Sequence, residues 1–376
     1  MEKASVKLLA VLVFWGAISV WGQTRPLIME HADSLSVNRS RGVMVLKGNV
    51  RFKHDSVAFK TGLAYWNRNR DVVSCENSFF FAHPQGTISA RSGRYERKGQ
   101  KAEAFGKVES RDSTGDAAFF GERLLFDRET NFLDLPSQPK VHRYFKDSLG
   151  NVTDTLQIIA KRITYNSDTE VAQATGNVVI TKGNLRIDCQ EGLFDRAKNT
   201  LNLVGQPICN VDEARIKGDS MFVQLENENL KSVRVVRNAT GEQKEEFASA
   251  PTRFTYVEGD TLFVNFQGDQ IEELYVSIGA KSKFWENDLT EYVNTIDGDK
   301  LELKFLQGEL NFAQALGTAA SSYWYIDDHR KVVGKNDALG DSIFIKFDST
   351  KVANLRIIGN KATGKYTDLS KQVKIE

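Results

Sequence analysis

The stretch Gly259-Asp260-Thr261-Leu262-Phe263-Val264-Asn265-Phe266 decides the fold class of this chain. Its apolar residues Leu262, Val264 and Phe266 occupy every second position after the Gly-Asp pair. Successive side chains of a β-strand point to opposite faces, so this spacing predicts a strand with one buried face. The same Gly-Asp start recurs at Gly218, Gly298 and Gly340, roughly forty residues apart, which indicates a repeat architecture.

All four Gly-Asp copies carry apolar residues at the same three positions, and a second apolar strand follows each copy. Small corners such as Gly279-Ala280, Gly317-Thr318 and Gly359-Asn360 close the units. A glycine at such a corner allows a positive φ or a bulge, which bends the strand. The apolar positions shared by the four copies are Met221, Val223, Leu225, Leu262, Val264, Phe266, Leu301, Leu303, Phe305, Ile343, Ile345 and Phe347.

The N-terminal half repeats in a similar way. The phrase Leu125-Phe126-Asp127-Arg128 recurs as Leu193-Phe194-Asp195-Arg196, and looser copies end in a Gly-x-Val corner such as Gly176-Asn177-Val178. A single hairpin cannot bury its apolar face in water, whereas stacked hairpins bury a continuous stripe. Repeated hairpins and corners predict an all-β fold, an elongated repeat-built roll in which two antiparallel sheets face each other.

Residues 1–22 have the features of a signal peptide. Lys3 and Lys7 precede the apolar run Leu8 to Val20, which is too short to span a bilayer. Cleavage is expected after Gly22, and an uncleaved anchor is the alternative. This segment predicts export to the periplasm, with association to the outer membrane as a further option.

Charge and cysteine usage narrow the function classes. The chain has 50 Lys and Arg residues and 49 Asp and Glu residues, so its charges nearly cancel. It lacks the excess of basic residues that is typical of nucleic-acid-binding proteins, which argues against that class. The three cysteines are Cys75, Cys189 and Cys209. In an oxidising compartment Cys189 and Cys209 could form a disulfide, and the alternative is three small buried side chains.

The sequence predicts no enzyme, no cofactor and no metal site. None of the five histidines pairs with another ligand at zinc spacing, and no nucleophile elbow or phosphate-binding loop is present. The phrase Asp327-Asp328-His329 is interpreted as a solvated turn, and the Gly-Asp pairs as corners rather than calcium ligands. An enzyme on a β-helix would need clustered carboxylates on one face, which the repeats do not supply.

Segment 160–236 resembles the OstA/LptA domain of lipopolysaccharide-transport proteins. The residues that carry the resemblance are Ala160 to Tyr165, Ala174 to Ile180, Leu201 to Pro207 and Ile216 to Asp219. Segment 42–145 resembles weaker copies, and the region after about residue 250 resembles the extension of larger OstA-like proteins. The resemblance implies a half-open β-jelly roll that holds acyl chains of lipopolysaccharide in an apolar groove and stacks end to end with partner proteins.

The resemblance and the alternation together select groove candidates. These are the twelve positions given above with Val178, Ile180, Leu185, Ile187, Leu201 and Leu203. The expected layout is a jelly roll over 23–236, a polar loop over 237–252 and continued repeats of the same body over 253–376. The expected partners are lipopolysaccharide or a related lipid, other lipopolysaccharide-transport proteins and further copies of this chain.

A second interpretation remains open, because alternating apolar residues also form the ordinary core of a closed β-sandwich. In that case the chain is a structural or adhesive β-solenoid without lipid cargo.

Overall fold

The computed structural model describes residues 26–38, 42–226, 229–246, 251–268, 270–306, 309–327, 329–348 and 351–370. The predicted signal peptide over 1–22 lies outside the described residues. Within the described part, no helix is long and apolar enough to cross a membrane.

All regular elements of the described residues are β-strands, and the recorded pairings are antiparallel, which confirms the predicted all-β class. The chain divides into two compact units between Leu201 and Asn202. The strands of the N-terminal unit are β1 (Ile28–His31), β2 (Ser34–Asn38), β3 (Val43–His54), β4 (Val57–Asn67), β5 (Val72–Glu76), β6 (Phe79–His83), β7 (Gly86–Ala90), β8 (Ser92–Glu96), β9 (Lys101–Asp112), β10 (Ala117–Asp127), β11 (Phe132–Pro136), β12 (Lys140–Lys146), β13 (Val152–Ile159), β14 (Arg162–Asn166), β15 (Val171–Lys182) and β16 (Leu185–Asp195).

Strand β17 (Thr200–Val204) contains the division between the units. The strands of the C-terminal unit are β18 (Ile208–Val211), β19 (Ala214–Lys217), β20 (Ser220–Glu226), β21 (Asn229–Glu245), β22 (Arg253–Gln267), β23 (Gln270–Glu286), β24 (Asn294–Leu306), β25 (Glu309–Ile326), β26 (Val332–Asp348), β27 (Lys351–Ile358) and β28 (Thr363–Asp368).

Long strands bend at corners that consist of two successive residues with positive φ. In β15 these are Gly176 and Asn177, with φ of 79° and 51°, and the pairing of β15 with β16 shifts register there. Corners of the same kind occur at Gly106–Lys107 and at Gly317–Thr318. Two left-handed residues in a row turn the strand out of the plane of its first half, so one strand contributes to two sheet faces.

The corners divide the strands of each unit into two parts of the sheet, called arm A and arm B, and successive parts of the chain belong to them alternately. Arm A of the N-terminal unit comprises residues 50–61, 79–90, 108–121, 140–159 and 178–189, and arm B comprises 43–47, 63–76, 92–105, 123–136, 162–175 and 191–195. In the C-terminal unit, with the gaps given above, arm A comprises 220–236, 261–277, 300–316 and 342–358, and arm B comprises 214–217, 239–258, 280–297, 319–339 and 363–368.

Within each unit the two arms face each other across a shared inner face. In the N-terminal unit, the ring of Phe59 on arm A lies 5.1 Å from the ring of Tyr95 on arm B, measured between centroids. In the C-terminal unit, a Cβ added to Gly364 on arm B would lie 3.5 Å from Ile357 Cδ1 on arm A. Alternate residues of both arms are buried, as the period of two predicts.

The segment expected as a polar loop over 237–252 is a strand as far as Glu245. This part of the expectation is wrong, because residues 239–245 are hydrogen-bonded to a neighbouring strand on both sides, β22 along their whole length and β19 over Thr240 to Gln243. Residues 247–250 of the expected loop lie outside the described residues. The wider layout into 23–236 and 253–376 stays a prediction.

Candidate functional site

The candidate residues of the C-terminal unit lie on the inner face of arm A, where cross-strand pairing joins them into two rows. The outer row is Val223, Val233, Val264, Leu274, Leu303, Ala313, Ile345 and Leu355, each paired with the next. The corner row is Met221, Val235, Leu262, Val276, Leu301, Ala315, Ile343 and Ile357. Both rows cross eight strands without a polar residue.

Most of these side chains are enclosed by the protein. Exposed fractions run from 0% at Ile343 to 6% at Ile345 for the candidates in the two rows. The aromatic candidates Phe266, Phe305 and Phe347 lie one step further from the corner and are half-buried. Leu225 occupies the equivalent position and is 3% exposed, so the inner face of arm A becomes more accessible toward the hairpin tips at the three phenylalanines and not at Leu225.

Val178, Ile180, Leu185 and Ile187 of the N-terminal unit also lie on arm A, whereas Leu201 and Leu203 lie on β17 at the division between the units. Val178 pairs with Cys189 and Ile180 with Ile187, and Leu185 pairs with the buried Lys182. Leu201 and Leu203 are buried in β17, where they are 2% and 0% exposed. The row through Ile180 and Ile187 extends over the unit as Phe52, Phe59, Phe81, Ile88, Ser110, Phe119, Val141, Ile158, Ile180 and Ile187.

An aromatic cluster at the start of the N-terminal unit was not predicted from the sequence. Phe52 stacks on Phe59 with ring centroids 4.9 Å apart, and Phe81 lies 5.9 Å from Tyr95 of the opposite arm. Rings from both arms thus fill the space between them. The many phenylalanines of this stretch were a visible signal, but their meeting across two arms requires the three-dimensional fold.

Polar groups of the two arms also meet beside the aromatic cluster. The imidazole Nδ1 of His54 and the hydroxyl of Tyr95 form a hydrogen bond of 2.6 Å. Burial raises the pKa of the Tyr95 hydroxyl to about 12. Burial, with the neighbouring Arg128 guanidinium, lowers the pKa of His83 to about 4. Both groups are therefore neutral near pH 7.

The hairpin tips of the two arms are joined by an ion pair. The guanidinium of Arg128, between β10 and β11 on arm B, donates to the carboxylate of Asp55 at 2.8 Å and to Ser56 Oγ at 3.1 Å. Asp55 and Ser56 form the turn between β3 and β4 on arm A. This contact connects the two arms on the side opposite the corners.

Charged residues also occur on the inner face of arm A, which alternation alone did not reveal. Arg143 of β12 pairs with the buried Ala117 and Leu156, so its side chain starts on the inner face. Its Nε and Nη1 atoms are buried and have no hydrogen-bond partner. Lys182 of β15 is only 9% exposed.

The three cysteines are free thiols, of which Cys75 and Cys189 are buried and Cys209 is half-buried. Burial raises the pKa of Cys75 to about 12 and the pKa of Cys189 and Cys209 to about 11. Thiols with such pKa values are weak nucleophiles at neutral pH. Cys75 and Cys189 thus correspond to the alternative of small buried side chains, and Cys209 does so only in part.

Acidic residues at the corners contact the corners of adjacent strands. The carboxylate of Asp219 accepts a hydrogen bond of 3.1 Å from Asn238 Nδ2, and Asp33 accepts one of 3.1 Å from Asn49. Asp327 accepts the backbone N–H groups of His329 and Lys331 within a turn, while Asp328 lies outside the described residues. Among the described residues, no group of His, Cys, Asp and Glu is placed to hold a metal ion.

No protein-family model and no curated protein matches this sequence. Among solved structures, the chain is similar to LptH from Pseudomonas aeruginosa, the LptA-homologous periplasmic component of its lipopolysaccharide transport device, with 16% identity. The similarity covers 35% of this chain and 82% of LptH, with a TM-score of 0.27. The all-β fold is established by the strand pairing of the chain itself.

Proposed function

We propose that this protein is a periplasmic lipid carrier or bridge that moves lipopolysaccharide or a related lipid toward the outer membrane. Acyl chains lie along the inner face of arm A, against the candidate residues. The two unbroken apolar rows of the C-terminal unit carry this proposal, because an acyl chain needs a continuous apolar track. An acyl chain that enters between the hairpin tips first contacts the rings of the half-buried Phe266, Phe305 and Phe347.

The proposed partners attach at the ends of the strand order. Among the described residues, β1 and β2 pair with β3, and β27 and β28 pair with β26, so each has one unpaired edge. Unpaired edges are templates for β-strand addition by another chain. They support stacking with other lipopolysaccharide-transport proteins or with further copies of this chain.

Photocrosslinking tests the lipid track directly. A photoreactive phenylalanine analogue replaces Phe305, whose ring is half-buried on the inner face, and a second protein carries it at Phe312. Phe312 is the matched control, because it is half-buried on the outer face of the same arm, paired with Lys304 and Lys346. We expect lipopolysaccharide to crosslink at Phe305, to be displaced by unlabelled lipopolysaccharide, and not to crosslink at Phe312.

Absence of a crosslink at both Phe305 and Phe347 in folded protein contradicts the lipid track. Equal crosslinking at Phe305 and Phe312 contradicts it as well, because non-specific adsorption does not distinguish the two faces.

A structural or adhesive β-solenoid with a closed core is the second candidate function. The contact between Phe81 and Tyr95 across the two arms favours it, since these rings fill the interior at the start of the N-terminal unit. The low exposure of the row residues is also typical of a packed core. Under this function the protein takes up no lipid at either end.

A further inference from the structure

Arg143 is an unusual residue for the inner face of a β-roll. Its strand neighbours Ala117 and Leu156 are each 1% exposed, and the adjacent row toward the corner contains Val141 and Ile158. Its Nε and Nη1 atoms are buried without a hydrogen-bond partner. A guanidinium cannot lose its charge in a protein, so burying two of its nitrogens without an acceptor is unfavourable.

A second cation lies on the same inner face. The register of β13 with β15 pairs Gln157 with Thr181, which brings Leu156 next to Lys182. Arg143 and Lys182 are therefore two strands apart, about 10 Å between backbones, within reach of a common anionic group for two long side chains. The Lys182 ammonium lies 4.1 Å from the centroid of the Phe145 ring.

The acidic residues around Arg143 already have other partners. Asp116 forms an ion pair of 2.9 Å with Lys146, and that hydrogen bond, with a weaker contribution from Arg143, lowers the pKa of Asp116. Asp112 accepts the backbone N–H of Ala117 at 3.0 Å. Asp154 lies 3.9 Å from the ammonium of Lys182. None of these carboxylates accepts a hydrogen bond from the two buried nitrogens of Arg143, and an anionic ligand would supply that acceptor.

We infer that Arg143, assisted by Lys182, binds the anionic headgroup, a phosphate or a carboxylate, of an amphiphile. The apolar row Phe119, Val141, Ile158 and Ile180 lies beside this pair and supplies the surface for the acyl chains. A planar guanidinium matches the oxygen atoms of a phosphate, and charge-assisted hydrogen bonds of this kind are strong. The inference rests on the lipid-binding function proposed above and adds the chemical class of the headgroup.

The test compares two lipids that differ only in the phosphate. Full-length protein is titrated with myristoyl lysophosphatidic acid and with the matching myristoyl glycerol, and affinities are measured by native mass spectrometry. We expect the unsubstituted protein to prefer the phosphorylated lipid by about ten-fold or more, since a charge-assisted hydrogen bond contributes that much. Arg143→Gln removes this preference and leaves the affinity for myristoyl glycerol unchanged.

The matched control is Lys140→Gln, which removes one positive charge from the exposed outer face of the same strand. It retains the preference. Thermal unfolding of both variants shows that they are folded, and Arg143→Lys, which keeps the charge but not the fork of donors, shows an intermediate preference.

The outcomes separate the inference from the proposed function. Equal binding of both lipids by the unsubstituted protein, or an unchanged preference in Arg143→Gln, overturns the headgroup site and leaves lipid binding intact. Inorganic phosphate that binds as tightly as the phosphorylated lipid identifies a free-phosphate site and overturns the lipid assignment. Failure of both lipids to bind overturns the proposed function together with this site.

Discussion

Pairs of left-handed residues at the corners are the local feature on which the fold depends. Most pairs contain glycine or asparagine, the residue types that adopt positive φ readily. In the pair Ile278–Gly279 the first residue is an isoleucine, with φ of 61° and 70% of its side chain exposed. A β-branched residue in this region is strained, because its side chain crowds the adjacent carbonyl groups.

Ile278→Asn should stabilise the protein. Asparagine tolerates the left-handed region, and the exposed isoleucine loses little buried surface, so the free energy of unfolding should rise by about 1 kcal/mol. Chemical denaturation checks this value. Ile358→Asn is the control, since Ile358 is also exposed, at 43%, but lies in a strand without positive φ. The free energy of unfolding of Ile358→Asn should not rise. A lower free energy of unfolding in Ile278→Asn would contradict the strain argument.

The corners show what a sequence can predict at the residue scale. Gly176-Asn177 and Gly317-Thr318 were predictable, because glycine marks positions that favour positive φ. Arg237-Asn238 was not, because arginine does not favour positive φ, and the surrounding pairing selects it. Gly259 has a different role, since a Cβ there would lie 2.4 Å from Val276 Cγ1 on the adjacent strand. That close approach follows from strand pairing and is invisible in one sequence.

At the scale of elements, hairpins distant in sequence close the N-terminal unit. The turn between β3 and β4 and the turn between β10 and β11 meet through Asp55 and Arg128. The side chain of Arg128 is 16% exposed and that of Asp55 is 42% exposed, so the pair is partly shielded from solvent. This ion pair lies on the side opposite the corners, where a ligand enters between the arms under the proposed function. We expect the ion pair to limit how far the two arms separate there.

A double-mutant cycle with Asp55→Asn and Arg128→Gln measures this restraint. We expect a coupling free energy of about 1 kcal/mol at low salt, falling as ionic strength rises, because the pair is only partly buried. Arg186 and Asp188 form the comparison pair. They lie 2.6 Å apart, two residues from each other on the exposed face of β16. Their coupling should be close to zero, and equal coupling for both pairs would show that the bridge between hairpins adds no restraint.

Alternation predicted the rows of arm A but not their environment. Leu262 and Leu301 were selected as candidates from spacing, and Val276 lies between them in the same row. Whether such residues line a track or a packed core depends on the distance between the arms, which no alternation pattern encodes. Arg143 was not predicted to lie on the inner face, because a charged residue in an alternating strand usually indicates the face exposed to solvent. The polar segment after Arg237 was missed for a related reason, since pairing on both sides sustains a strand that its composition does not favour.

At the scale of the whole molecule, β2 and β27 each expose one backbone edge together with apolar side chains. Val37 of β2 is 53% exposed, and Ile358 of β27 is 43% exposed. The inner rows end at Leu355 and Ile357 of β27, which are half-buried although their row partners are enclosed. A strand added at β27 would cover these residues and extend the rows, which links self-association to the proposed transport function.

Charges at the edges should therefore weaken association without unfolding the protein. In the double variant Val37→Lys with Ile358→Lys, the two lysines repel a partner strand, and their exposed positions keep the change in stability within about 0.5 kcal/mol. Sedimentation over a range of concentrations should show assemblies for the unsubstituted protein and monomers for the variant. Leu306→Lys is the matched control, since Leu306 is 65% exposed at the tip of β24, a strand paired on both sides. If Leu306→Lys disrupts assembly as strongly as the edge variant does, association uses the hairpin tips and not the terminal strand edges.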